Sequence, residues 1–203
     1  MSRVLDWYIK RTTLIIENIT ALGRIGGAAN LGGIMITNVV CKANLNVRID
    51  LRTLTNESVN IVYNPSRFSG VRWKHPKIGG HCMVFSSGCI LVNGKVTSIR
   101  EGKRRLRRYA RLLQRLGWEV RLDAIDVVTV SASFKLDGPI DLIKVAPYYS
   151  GRYDPELFPA VMFTKDSVHF TCFHSGSVVM TGIKSYNQLH DICMPVLIEI
   201  PLL

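Results

Sequence analysis

Apolar and polar positions alternate with a period of two over residues 81–85 (HCMVF) and 89–93 (CILVN). On strands this places Met83, Phe85, Leu91 and Asn93 on one face and Cys82, Val84, Ile90 and Val92 on the other. Ser86, Ser87 and Gly88 between the runs predict a hairpin turn. The alternation returns later, with Thr171, Phe173, Val179 and Thr181 opposite Cys172, Val178 and Met180. Residues 34–41 (IMITNVVC), 58–63 and 67–74 are further predicted strands, and Asp50 is placed to cap a short helix over LRTLTNES. Over 98–116 the period becomes helical. Leu106, Tyr109, Ala110, Leu113 and Leu116 gather on one side, Arg104, Arg107, Arg108, Arg111 and Arg115 on the other, and Gly117 ends the helix. A last helix is expected around 186–198, where Pro195 should kink it or end its regular part.

These elements recur. YNPSRF (63–68) followed by MVFSSGCILVNG (83–94) matches YDPELF (153–158) followed by TCFHSGSVVMTG (171–182). The offset is 90 at Pro65/Pro155 and Phe68/Phe158, and 88 at Phe85/Phe173, Gly88/Gly176 and Gly94/Gly182. Two copies of this length predict a duplicated α+β domain, not a solenoid. The expected organisation is an extension over 1–33, a first repeat over 34–121 and a second over 122–203. Strand alternation requires one face to pack under helices. The other face is either buried as well, in a sandwich, or open, in which case an apolar face carrying Asn and Thr among Phe side chains marks a binding surface.

Charge narrows the partner. The net charge is +11, which suits a polyanion, nucleic acid before an anionic membrane. Residues 95–121 hold ten Lys/Arg against two Glu, so +8 of this charge sits on and around the predicted long helix. That face is either simply solvated or a docking surface for an acidic protein or flanking DNA. The five cysteines form no CxxC pair, and His81 and Cys82 would point to opposite strand faces, so no metal and no disulfide framework are expected. Free thiols fit a reducing compartment. The N-terminus reads as no secretion signal, and no apolar run reaches the roughly 18 residues of a spanning helix, so no membrane partner is expected. GRIGGAANLGG (23–33) reads as a tether, its glycine spacing fitting no phosphate-binding fingerprint, and LDWYIKRTTLIIENI (5–19) as a short helix of unread role. No GxSxG, HExxH or Walker motif occurs, so no enzyme and no cofactor are expected.

Residues 34–200 resemble the core domain of the TATA-box-binding protein family. The resemblance rests on ITNVVC (36–41), YNPSRFSGV (63–71), VFSSG (84–88), YARLLQRLGW (109–118) and YDPELFPAV (153–161). It implies a TBP-like saddle, a curved ten-stranded antiparallel sheet with helices on its convex side. It also implies a nuclear factor that binds and bends the minor groove of promoter DNA and nucleates the preinitiation complex. The family's intercalating phenylalanines match Phe68, Phe85, Phe158 and Phe173. Groove contacts match Asn38, Val40, Leu91, Asn93, Thr129, Val179 and Thr181, and phosphate contacts match Arg67, Lys74 and Lys184. Asp154, Glu156 and Leu157 resemble contacts to transcription factor IIB. Lys103, Arg104, Arg108 and Arg111 resemble the surface used by factor IIA and regulators; TBP-associated factors are further implied partners.

The chain also departs from the family. Asn93 and Thr129 exchange the expected Thr and Asn, Ser131 replaces a valine, and Cys89, Val96, Thr164 and Ser177 stand where Lys or Arg is usual. Weaker or less TATA-selective binding is therefore expected. A second reading follows, a TBP-related factor with little or no TATA binding that recruits factors IIA and IIB. A third, base removal from DNA on the same duplicated fold, would need an acid or a lysine nucleophile on the open face, where the expected residues are apolar, Asn, Thr or Ser.

Overall fold

The computed structural model describes Asn30, Leu31 and residues 33–203. The expected helix over 5–19 and the glycine-rich run up to Ala29 lie outside the described residues. By its contacts the chain forms two units, Asn38–Thr129, and Val130–Leu203 with the residues up to Thr37.

The first repeat runs β2 (Ile34–Asn44), α1 (Leu51–Glu57), β3 (Ile61–Tyr63), β4 (Gly70–Trp73), β5 (His81–Phe85), β6 (Cys89–Asn93) and α2 (Ile99–Arg115). The second runs β7 (Asp126–Lys135), α3 (Leu142–Tyr148), β8 (Arg152–Asp154), β9 (Phe158–Lys165), β10 (Val168–Phe173) and β11 (Ser177–Ile183). It closes with α4 (Tyr186–Gln188), a π-helical turn (Leu189–Cys193) and α5 (Met194–Glu199). Strand order is β3-β4-β5-β6-β2 in the first repeat and β8-β9-β10-β11-β7 in the second, so the duplication read from the motifs is a duplication of topology.

Local chemistry repeats too. Asp50 caps α1 by accepting from the Arg52 and Thr53 amides, and Asp141 caps α3 by accepting from Lys144. These backbone bonds to Asp50, and at Asp141 the Lys144 side chain, hold both carboxyls below the usual range. Ser98 and Ser185 cap α2 and α4. Gly88 and Gly176 close their hairpins with φ of +89° and +90°, a conformation that costs glycine little. Their amides donate to Phe85 and Phe173 at 2.9 and 3.0 Å.

Each sheet has one covered face. In the first repeat Val39, Cys41, Val71, Trp73, Cys82, Val84, Ile90 and Val92 are buried. Leu106, Tyr109, Ala110 and Leu113 of α2 are buried with them, and the Trp73 and Tyr109 rings meet edge-on at 5.4 Å. α2 lies close to the sheet because Gly102 has no side chain. A Cβ there would stand 2.8 Å from Cys41 Sγ and 3.6 Å from Val39. In the second repeat Tyr149, Phe163 and Phe170 form a ladder of stacked rings over the buried face of β9 and β10, with centroid spacings of 4.3 and 5.0 Å. On the opposite face the large side chains of β5, β6, β10 and β11 are half-buried, while small Ala160, opposite Phe173, is buried, which sets the sandwich alternative aside. Burial pushes the Cys172 and Cys193 thiols up to about 12 and raises Cys41 and Cys82 as well, so these four are protonated packing groups at neutral pH.

Several boundaries differ from the sequence reading. Asn64–Phe68 is a turn and not the start of a strand, because Asn64 accepts from both the Arg67 and Phe68 amides and Pro65 has no amide to add to a ladder. Strand β3 begins at Ile61, after Asn60 takes a φ of +62°. Leu116 is half-buried, since α2 has ended at Arg115 and Gly117 turns away with φ of +97°. Asn30–Leu31 forms a short strand, β1, paired back onto β2 through a turn at Gly33, and so is not part of a tether. The last helix is broken ahead of Pro195 by the wider π turn, in which Met194 donates to Leu189 five residues back.

Ser98→Ala removes the side-chain acceptor for the Glu101 amide at 3.2 Å. We expect this to lower stability by about 1 kcal/mol, read from urea unfolding midpoints, without loss of fold.

Candidate nucleic-acid interface

The open face of the first repeat is built by alternation on β2, β5 and β6. Val40, Met83, Phe85, Leu91 and Asn93 are half-buried, and their strand neighbours Val39, Val84, Ile90 and Val92 are buried beneath them. Met83 stands opposite Leu91, and Phe85 opposite Gly70. In the second repeat Thr171 stands opposite Val179 and Met162, and Phe173 opposite Ala160. The two faces therefore share one frame with different side chains.

The four phenylalanines come together as two pairs. Phe68 and Phe85 meet edge to face with centroids 5.5 Å apart, and Phe158 and Phe173 do the same at 5.8 Å. Each pair joins a residue of the turn before a strand, or the first residue of that strand, to the last residue of the next one. Gly70 lets the first pair sit close to the strand, since a Cβ there would lie 3.0 Å from an atom of each ring. Phe158 remains 40% exposed and the neighbouring Leu157 74%. Large aromatic surface left exposed at the end of a hairpin marks a candidate binding surface.

Each face also carries short polar groups. Asn38 accepts from the Gly94 amide through its side-chain oxygen at 3.0 Å. An N–H can only donate, so that contact fixes the oxygen and leaves the Asn38 NH2 with two donors for a ligand. Asn93, Thr129 and Thr181 are half-buried, and the Thr164 hydroxyl is paired with His169 Nδ1 at 2.8 Å. Donors among apolar side chains suit an A·T minor-groove floor, which offers acceptors only.

The expected phosphate residues Arg67, Lys74 and Lys184 are all exposed. Of the positions without the usual cation, Cys89 and Ser177 begin β6 and β11 half-buried and Thr164 is exposed, whereas Val96 is fully buried. Cys89 is the single cysteine that is not buried. An alkylating reagent applied to the native protein is expected to give one adduct, at Cys89, by peptide mass spectrometry.

The basic helix presents a second surface. Lys103 and Arg108 are half-buried, and Arg104, Arg107, Arg111 and Arg115 are exposed. Arg108 donates to the Lys77 carbonyl at 2.6 Å, which fixes it beside Arg111. Glu101 pairs with Arg104 at 2.7 Å and Arg105 at 2.8 Å. Desolvation alone would raise the Glu101 carboxyl; the two guanidinium hydrogen bonds outweigh it and hold the group below its ordinary value. Arg105, turned inward to Glu101 and the Gly94 carbonyl, is thus a structural cation, unlike its neighbours. The Asp154–Leu157 turn leaves Glu156 and Leu157 exposed and Asp154 half-buried. Sequence reasoning left Arg72 and Lys42 out of the site. Both are exposed on the open face, and the alternation of Val71, Arg72 and Trp73 carries the signal for the first.

Comparison with known proteins agrees with this geometry. The family described as "Transcription factor TFIID (or TATA-binding protein, TBP)" matches residues 33–116 and 124–200. TATA box-binding protein-like 2 of Mus musculus is 34% identical over 161 residues, 77% of this chain and 46% of that protein. The TATA-box-binding protein of Emericella nidulans is 32% identical over 174 residues, 82% of this chain and 64% of that protein. The chain thus spans about half the length of the mouse relative and under two thirds of the fungal one. Among solved structures, Methanococcus jannaschii TBP superposes with a TM-score of 0.72 at 26% identity, over 81% of this chain and 95% of that one.

Proposed function

Because this chain belongs to the TATA-box-binding protein family and is a TBP-like transcription factor, we propose that it works in the nucleus without enzymatic activity, binding promoter duplex in the minor groove and bending it. The observation that carries this reading is the pair of equivalent Phe wedges, Phe68–Phe85 and Phe158–Phe173, at the ends of two faces lined by apolar side chains and short donors. Apolar wedges unstack base steps and kink a duplex, a mechanism already known for this family. Asn38, Asn93, Thr129 and Thr181 read the floor, Val40, Leu91 and Val179 contact the sugar walls, and Arg67, Lys74 and Lys184 meet phosphates. Asp154, Glu156 and Leu157 offer an acidic and apolar turn to factor IIB. The cations of α2 offer a counter-charged surface to factor IIA or TBP-associated factors, through which the bound protein nucleates the preinitiation complex.

Uncharged Cys89, Thr164 and Ser177 favour weak binding, and in the limit a recruitment module that reaches promoters through its partners. Gel shifts with TATA and scrambled duplexes across a salt series separate the two. Each absent phosphate contact should flatten the slope of log K against log salt by about 0.9. The expected result is a shift of the TATA duplex at low salt with a shallow slope. Tight, salt-steep binding would contradict the weakness, and no shift at any salt would leave the recruitment role.

A further inference from the structure

We propose that Arg72 and Lys42 are additional duplex contacts that make the first repeat the more strongly charged half of the binding face; the inference rests on the DNA-binding reading above. Four residues form one row across the open face of the first repeat. Arg72 on β4 is opposite Met83 on β5, Met83 is opposite Leu91 on β6, and Leu91 is opposite Lys42 on β2. Residues directly opposite in an antiparallel ladder point the same way, so the two cations flank an apolar pair. The corresponding four positions of the second repeat, Met162, Thr171, Val179 and Ser133, are uncharged, and the cation of that row, Arg152 on β8, lies one strand further out, opposite Met162.

Arg72 and Lys42 are exposed, and among the described residues neither side chain has a hydrogen bond or an ion pair. No carboxylate stands in the row to neutralise them. Three strand spacings separate them, about 14 Å. Long cationic side chains lay their methylenes along apolar neighbours and carry the charged head outward. Arg72 and Lys42 stand at opposite ends of the Met83–Leu91 strip, so the row offers one cation on each side of it. A duplex whose sugars rest on the strip brings its two phosphate backbones to those heads, where Arg can donate bidentately and Lys acts as a point charge. The cations stand on the face itself, and so partly offset the uncharged residues at Cys89, Ser177 and Thr164.

The test exchanges the residues of one repeat for those of the other. Arg72→Met and Lys42→Ser, singly and together, are compared with wild type by fluorescence anisotropy on a TA-rich duplex over a salt series. Arg52→Met, exposed on α1, is the control, and melting curves verify the fold of each variant. We expect each single change to reduce the salt slope by about 0.9 and the double change by about twice that, with affinity at fixed salt falling roughly three- to tenfold per cation. Arg52→Met should leave the slope unaltered. A variant slope equal to that of wild type, in a protein that binds, overturns the inference and leaves the DNA-binding reading standing. Wild type that binds no duplex even at low salt overturns both.

Discussion

Phe85→Ala combined with Phe173→Ala is expected to abolish DNA bending and leave the fold intact. Both rings are half-buried on the open faces, each in edge contact with its partner, Phe68 or Phe158. Such an aromatic pair contributes about 0.5–1.5 kcal/mol beyond its area, far from the role of a core ring such as Phe170. Stability should therefore fall by only a few kcal/mol. The bend has a different dependence. Kinking a duplex requires unstacking base steps, at roughly a few kcal/mol per step, and the inserted aromatic surface repays that cost. Without the two rings the duplex stays closer to straight even where groove donors and cations still hold it. Resonance energy transfer between dyes on the duplex ends reads the bend, and near-ultraviolet circular dichroism reads the fold. An unchanged bend would defeat the wedge assignment.

Leu106→Ala should have the largest effect on stability. Leu106 is fully buried in the middle of α2, between Gly102 and Tyr109 on the helix side that meets the sheet. The sheet beneath it is held in register by β5 and β6, so the site cannot readily collapse around a missing isobutyl group. Truncations of this kind cost about 2–5 kcal/mol, lost transfer energy plus the cavity left behind. Thermal unfolding of the variant should move down by roughly 5–20 °C at 2–4 °C per kcal/mol. A shift under 2 °C would mean that α2 is not seated as described. The variant also separates stability from binding, because below its transition its open face should retain duplex affinity.

Much of this was legible in the residues, for identifiable reasons. Strands β5 and β6 alternate strictly and are bounded by Gly88, so their limits and faces follow from period two alone. α2 is long, capped by Ser98 and followed by Gly117, and its apolar side is the buried one. The Phe pairs were reached through motif resemblance, since no periodicity joins residue 68 to residue 85. What stayed hidden depends on three-dimensional register. Alternation defines two faces and does not say which a helix covers; the approach of Gly102 to Cys41 decides it. Arg72 and Lys42, 30 residues apart in the sequence, share a row only once β4, β5, β6 and β2 are aligned. Asp141 was missed as a cap although Ile140-Asp141-Leu142 repeats Ile49-Asp50-Leu51, because Pro147 in the run that follows reads against a helix.

A single methyl group distinguishes the seats of the two wedges. Ala160 fills the place that Gly70 leaves vacant, and the ring beside it, Phe158, stands 40% uncovered whereas Phe68 is half-sheltered. The two copies thus present their aromatic pairs with unequal exposure. In the proposed complex, a duplex with two unequally deformable steps is the counterpart of such a pair.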